Sequence, residues 1–413
     1  MDGAARAECV AELTQPERLR SELERAFVGL VARDVAVGLR CGALGACVEL
    51  GRRAAPSEPT RLPIRMGCIA KLLTAMLARH AFEAHRVAPS EPISALLPAG
   101  AARRALRGIT VRQLLEHTHG LDDSLLSRMP RDSRGRVDVE ALALELRAVA
   151  PLAKPGELYS YGNAGAWLSA AVLERVGSRS YAVQLVETLL EPLGIEAGGS
   201  AESICPATGG ELALDPSELL SLVANAAFVA PDVWPDDACA GDYGFAIPLP
   251  GWNPLERGIY LGWKYHGAGW LGHQSVWPRQ SVLVRAHPRR QLALIVASSD
   301  HPAAVVAARV FGAYLPELFE LRVPTRPNTT LGPPAGKFGS SAWRVDIRQL
   351  DDTPELSARR SDTPDEWSAI LRAVTPGLWL TCPVLSMFPH VEIVELDRAY
   401  LWNGRFVLPR TVH

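Results

Sequence analysis

Strand-forming sequence lies at both margins of the first 300 residues, with a long helical stretch between, and this order limits the folds open to the chain. Residues 34–50 read as two short strands about a glycine-containing turn. Further strands are expected within 258–298, at Ile259–Leu261, Ser281–Val284 and Leu292–Ala297. Between them, helices are expected at 68–83, 111–118, 138–149, Asn163–Val176 and Pro216–Phe228, with Glu17–Ala32 before and 301–314 after. The pattern predicts an α+β fold in which one antiparallel sheet is assembled from both ends of the domain and helices pack beside it.

With 413 residues and 48% hydrophobic content, the chain is long and apolar enough for one large domain and a smaller one. Pro324, Pro327, Pro333 and Pro334 mark 323–335 as a linker between a domain at 1–322 and a small β-rich domain at 336–413. In the latter, Trp343, Trp379, Tyr400 and Trp402 are expected to fill a core. A net charge of −2 carries no footprint for nucleic acid, and no Gly-rich phosphate-binding loop is found. The first fifteen residues lack the apolar segment of a signal peptide, and no run of about 18 apolar residues occurs. A cytoplasmic protein without a membrane span is expected. Seven scattered cysteines, without metal-ligand spacing, read as free thiols in a reducing compartment. Cys41 and Cys47 flank the turn of the first hairpin.

Chemistry enters at Cys68-Ile69-Ala70-Lys71, where a thiol and an amine stand three residues apart at the start of a helix. A cysteine at a helix N-terminus beside a cation has its thiolate favoured. The pair taken alone also fits a packed structural cysteine. Two later segments add polar groups. Pro155–Gly165 delivers Tyr161 and Asn163 just ahead of a helix, and Tyr265–Ser275 is a glycine-rich strand that sets His266 beside approachable backbone at Gly267 and Gly269.

In this order the segments resemble the serine β-lactamase and penicillin-binding-protein superfamily, in its branch of class C β-lactamases, peptidases, esterases and transacylases, whose motifs are S-x-x-K, Y-x-N and K-T-G or a histidine variant. Cys68-Ile69-Ala70-Lys71 matches the first with cysteine in place of serine. Tyr161-Gly162-Asn163 matches the second, and His266-Gly267-Ala268 takes the third, with Ala268 where glycine would fall. Leu114–Leu121 is similar to the family's L-L-x-H-T-S-G-L run. The likeness spans about residues 20–315, and the tail resembles an accessory β-domain of some members. It implies a β-lactamase/transpeptidase-like fold, with an antiparallel sheet flanked by helices and a helical lobe. It further implies that Cys68 attacks an acyl carbonyl and Lys71 takes or holds the proton. Tyr161 then relays a proton, Asn163 fixes lysine or substrate, and His266 anchors substrate or assists Tyr161. The N–H groups of Cys68 and Gly269 form the oxyanion hole. No metal or cofactor is implied.

A thiol is partly ionised near neutral pH and forms a thioester, which amines capture readily. The expected activity is therefore transfer of an acyl group from an ester or thioester donor, free or carried by a carrier protein or coenzyme A, to a small amine or alcohol in biosynthesis. Tryptophans 263, 270 and 277 either shield such a thioester from water or pack in the core. A cysteine-dependent esterase, amidase or thioesterase is the alternative, and a non-catalytic acyl-binding homologue is a third.

Overall fold

The computed structural model describes residues 10–28, 34–51, 63–84, 86–97, 100–122, 129–148, 150–157, 159–197, 203–228, 258–277, 279–299, 302–318, 335–340, 342–350, 353–361, 363–364, 366–375, 378–382, 390–395, 399–402 and 407–411. The 323–335 linker lies outside these apart from Ala335. In chain order come α1 (Pro16–Phe27), β1 (Asp34–Cys41), β2 (Leu44–Gly51), β3 (Ile64–Arg65) and α2 (Ala70–Glu83). Then follow α3 (Val111–Leu115), α4 (Val139–Arg147), α5 (Ala164–Gly177), β4 (Ala213–Leu214) and α6 (Pro216–Phe228). After these come β5 (Gly258–Tyr260), β6 (Trp263–Gly267), β7 (Trp270–Trp277), β8 (Gln280–His287), β9 (Leu292–Ser299) and α7 (Ala303–Phe311). The remaining strands are β10 (Gly336–Gly339), β11 (Trp343–Leu350), β12 (Thr353–Arg360), β13 (Glu366–Thr375), β14 (Leu378–Cys382), β15 (His390–Glu395), β16 (Ala399–Trp402) and β17 (Val407–Pro409).

The chain divides into two compact units. The first takes the described residues of Met1–Val87, Leu173–Tyr243 and Ile259–Leu321. Its seven-stranded sheet has the order β2-β1-β9-β8-β7-β6-β5. The early hairpin joins the late strands where β1 pairs antiparallel with β9, Val37 opposite Val296 and Leu39 opposite Leu294. Alternate residues point to opposite faces. Val35, Val37 and Leu39 of β1 join Leu292, Leu294 and Val296 of β9 in a core with Leu19 and Leu23 of α1 and Val306, Val310 and Phe311 of α7. On the opposite face Leu220 of α6 packs close to Gly38 and Ile295. Helix α1 stops at Phe27, short of the expected Ala32, and α3 stops at Leu115, two residues before His117 takes a left-handed φ of 55°.

The second unit takes the described residues of Ala88–Val172, Gly244–Gly258 and Arg322–His413. It contains α3, α4, most of α5 and an eight-stranded antiparallel sheet in sequential order from β10 to β17. Phe338 of β10 pairs with Arg410, and Thr411 N–H donates to Lys337 O at 2.9 Å, so the last segment returns to the first strand. Return of this kind removes free sheet edges. Phe338, Trp343, Val345, Ile347, Leu356, Leu371, Leu401 and Leu408 form its core, with Trp367 and Trp379 packed against it. The side chains of Tyr400 and Trp402 lie outside the described residues. Strands β12 and β13 were not anticipated, since Thr353–Arg360 carries polar residues at Thr353, Glu355, Ser357 and Arg359 and a proline at Pro354. Among the described residues no helix is long and apolar enough to cross a membrane.

Leu294 is fully buried in β9, where the strands from the two ends of the chain meet. Replacing it with alanine is expected to lower unfolding stability by about 2–5 kcal/mol, the usual range for a buried leucine. Urea denaturation measures this, and a change below about 1 kcal/mol would contradict the assignment of this layer as a packed core.

Candidate active site

Strand β3 pairs with β4, Ile64 opposite Leu214, and carries the chain into a 3-10 turn at Gly67–Ile69 that runs directly into α2. Gly67 has φ +49°, and a Cβ there would overlap Ser275 Oγ and Trp277 Nε1. Only glycine meets both demands, because L-residues disfavour this region and no space remains for a side chain. Cys68 is half-buried, and its N–H donates to Ser275 Oγ at 3.3 Å.

Lys71 follows one turn later, only 4% exposed, with Nζ donating to Ala207 O at 3.0 Å. One further turn along α2, Thr74 Oγ1 donates to Pro206 O at 2.9 Å and lies 2.9 Å from Tyr181 Oη. The segment leading to β4 also meets the turn itself. Met66 N–H donates to Leu212 O at 3.4 Å, and a Cβ at Gly209 would come within 2.6 Å of Met66 Cβ. The turn is thus held on one side by residues 206–212 and on the other by β7.

Because side chains alternate along a strand, the face of β7 that carries Ser275 and Trp277 also carries His273. His273 is 1% exposed, and its Nδ1 lies 2.9 Å from Gln274 N. Burial first, then the positive charges of Lys264, Lys71 and Arg285, push its pKa well below the ordinary 6.5, so the ring is neutral at pH 7. Arg285, itself buried, donates from its guanidinium to the carbonyls of His273 at 3.1 Å and Val284 at 2.8 Å.

His266 and Gly269 are placed elsewhere. Gly267 pairs with Trp270, and the two residues between, Ala268 and Gly269, both have positive φ (49° and 78°), which is the form of a type I′ hairpin turn. Gly269 therefore sits at a hairpin tip, where a Cβ would meet the His287 ring. It precedes Ser275 by six strand residues, or about 20 Å, and cannot share an oxyanion hole with Cys68. His266 is level with Trp270 and Leu271 on the adjoining strand, about 13 Å along the sheet from Ser275. The histidine that adjoins the nucleophile turn is His273. The alternation of His273, Ser275 and Trp277 was readable in the sequence, but the more conspicuous His266-Gly267-Ala268-Gly269 drew the assignment. Trp263 and Trp270 are fully buried, and only Trp277 of the three tryptophans touches the turn.

In the second unit, Tyr161 and Asn163 lie together before α5, and Asn163 O accepts the N–H of Trp167 at 3.1 Å as the helix begins. The left-handed His117 is 3% exposed and braces this segment. Its carbonyl accepts Ser160 N–H at 2.8 Å, its Nδ1 accepts Gly162 N–H at 3.4 Å, and its ring centroid is 4.6 Å from that of Tyr161. In the sequence His117 stands only within the family-like Leu114–Leu121 run, with nothing in its residue type to mark this bracing role.

A family model for β-lactamase matches residues 46–202, a span that includes both Cys68–Lys71 and Tyr161–Asn163. The fold is shared with solved structures of this superfamily: an octameric penicillin-binding protein homologue from Pyrococcus abyssi is 16% identical with a TM-score of 0.54, covering 96% of this chain and 100% of that one. The β-lactamase match over residues 46–202 and the shared fold support a likeness to the serine β-lactamase/penicillin-binding-protein-like superfamily. Other solved structures share the fold. SurE with D-Leu is 20% identical with a TM-score of 0.71, covering 99% of this chain and 100% of its own. D-amino acid amidase from Ochrobactrum anthropi SV3, complexed with L-phenylalanine, is 16% identical with a TM-score of 0.56, covering 71% of this chain and 98% of its own. No curated protein matches the chain in sequence. Homologues with this fold are mostly hydrolases and acyl transferases, which supports an enzyme at that level.

Two outcomes follow from this geometry. Gly67→Ala is expected to slow alkylation of Cys68 by iodoacetamide more than tenfold, because the new methyl group must displace β7 or the turn. Peptide mass mapping reads the rate at Cys68, and parental reactivity would contradict the close contact. The second concerns pH. His273 lies well below 6.5, and burial followed by Arg290 lowers His287 to about 4. An unfolded chain binds protons at these residues below about pH 6.5 that the folded chain refuses. Stability is therefore greatest above that pH and declines as pH falls from 6.5 towards 4. Urea midpoints should show this decline, smaller in His287→Gln, and a midpoint that rises on acidification would contradict it.

Proposed function

We propose that Cys68 carries an acyl group as a thioester and that the enzyme transfers it from an ester or thioester donor to a small amine or alcohol. The observation that carries this reading is the half-buried Cys68, set on a braced turn against the polar face of β7 and one turn before the anchored amine of Lys71. In the first step the sulfur attacks the acyl carbonyl carbon, a C–S bond forms, and the π electron pair moves to oxygen. Collapse restores the carbonyl and breaks the bond to the leaving group, which departs with a proton. In the second step the acceptor nitrogen or oxygen attacks the thioester carbon, the C–S bond breaks, and the acceptor's proton is taken up by a base.

Lys71 takes the thiol proton or holds its charge beside the thiolate. Tyr161 relays protons to the leaving group and from the acceptor, and Asn163 fixes lysine or substrate. These two roles rest on the match of Tyr161-Gly162-Asn163 to the superfamily motif. His273 replaces His266 as the histidine of the third segment, a neutral polar wall beside Lys71. The cytoplasm is the proposed compartment, and the donor is either free or held by a carrier protein or coenzyme A. Transfer is favoured by the thiol, since a thioester is open to aminolysis, while a bound and oriented acceptor offsets the concentration of water. The second reading is thiol-dependent hydrolysis, and it has support from the amidase that shares the fold.

The test offers the purified enzyme acetyl, fatty-acyl and D-aminoacyl thioesters, the last because SurE with D-Leu and a D-amino acid amidase share the fold. Pooled amines and alcohols are then added, and amide or ester product is weighed against free acid by mass spectrometry. Product exceeding free acid for at least one acceptor is expected, and it should vanish in Cys68→Ala. Tyr161→Phe should lower turnover by about 100-fold with little change in donor binding. Free acid dominating for every acceptor establishes the hydrolase instead.

A further inference from the structure

We infer that Thr74 and Tyr181 are positioning residues for Lys71: a relay of two hydroxyls ties the second turn of α2 to the carbonyl of Pro206 and so keeps the next carbonyl, Ala207 O, in place against the lysine amine. This rests on the acyl-enzyme reading above and adds to it two residues outside the motif segments.

The direction of the relay follows from counting protons. Thr74 Oγ1 lies 2.9 Å from Pro206 O, 3.3 Å from Ala70 O and 2.9 Å from Tyr181 Oη. A hydroxyl has one proton to give and lone pairs with which to receive. Carbonyls only accept, so the threonine proton goes to the nearer one, Pro206 O, and Tyr181 O–H donates to Thr74 Oγ1. A threonine inside a helix can give its proton to the carbonyl four residues back, but here that contact, with Ala70, is the longer one. Tyr181 opens the short helix Tyr181–Leu185 and is 3% exposed, and Thr74 is 1% exposed. Burial raises the phenol well above its ordinary 10, so Tyr181 remains a donor at neutral pH and exchanges no proton with the substrate.

The segment held by the relay is the one that holds Lys71. Proline has no N–H, so the backbone of residue 206 is fixed by hydrogen bonding only through its carbonyl. Gly209 N–H donates to Cys205 O at 2.7 Å, which closes the segment on itself without joining it to α2. Two bonds join it to α2: Thr74 to Pro206 at 2.9 Å and Lys71 to Ala207 at 3.0 Å, from adjacent turns of the helix to adjacent carbonyls. Neighbouring peptide planes share an α-carbon, so fixing the first carbonyl limits where the second can point. The lysine amine sits on a flexible four-carbon stem, and a displacement of about 1 Å is enough to slow a reaction that depends on its place.

The experiment follows acylation of Cys68 by p-nitrophenyl acetate in the full-length protein, with peptide mass mapping over time. Thr74→Val keeps the side-chain shape and removes the hydroxyl, and it is expected to slow acylation about 10-fold or more. Thr74→Ser restores the hydroxyl and should return the rate to within about threefold of the parent. The decisive arm repeats Thr74→Val in a Lys71→Ala background, where a further loss of no more than about twofold is expected, because the two changes remove one function. Tyr181→Phe, made in the same two backgrounds, carries the comparison if Thr74→Val fails to fold. A loss in Lys71→Ala as large as in the parent overturns the inference, since Thr74 then acts on the fold and not through the lysine. Parental rates in both Thr74→Val and Tyr181→Phe also overturn it and leave the acyl-enzyme reading standing. A parent protein in which Cys68 is never acylated overturns that reading and this inference with it.

Discussion

The absence of a side chain at Gly67 is the contact on which the site depends. With φ +49° and β7 against its α-carbon, Gly67 lets the turn before α2 sit flush on Ser275 and Trp277. From that seat the N–H of Cys68 reaches Ser275 Oγ, and α2 starts in a direction that buries Lys71 against Ala207. Residues 206–212 close the other side. The nucleophile turn is held by packing and backbone carbonyls, so its geometry is set before any ligand arrives.

That seat requires β7 in one register. Ser275 lies opposite Val282 of β8, and a slip of one residue would send His273, Ser275 and Trp277 to the other face. Register is passed across β8 and β9 to β1, where Val37 meets Val296. The two ends of the first unit therefore have to meet for the polar face of β7 to be presented. The site therefore depends on the sheet's register, and the core on the α1 and α7 face helps hold it.

The sheet was legible because β1, β2, β8 and β9 are apolar runs bounded by turns, and the order of strands around a helical middle leaves few ways to close them. Cys68 and Lys71 were legible because helical spacing alone puts them together. The third segment was misplaced for a specific reason. His266-Gly267-Ala268-Gly269 looks like a site because it is glycine-rich, but those glycines serve a two-residue hairpin, and the hairpin directs the next strand, not the substrate. Which strand abuts the Gly67 turn is a tertiary fact. His117 was similarly hidden, since its work is done through a left-handed backbone and carbonyl that residue type does not reveal. Strand β12 escaped because a proline and several polar residues break its apolar pattern, and β13 because Glu366, Ser368 and Arg372 interrupt its apolar run.

Likeness of structure establishes a fold that hosts hydrolysis and acyl transfer alike, and the cysteine is what distinguishes this chain from the superfamily's serine pattern. The account stands on that sulfur becoming acylated. Intact-protein mass spectrometry, followed in time after mixing with an acyl thioester and then by peptide mapping, tests it most directly. A single adduct of the acyl mass on Cys68, formed far more slowly in Lys71→Ala and decaying when an amine is added, is the predicted result. An adduct confined to other residues, or none across donors of varied acyl group, would contradict it.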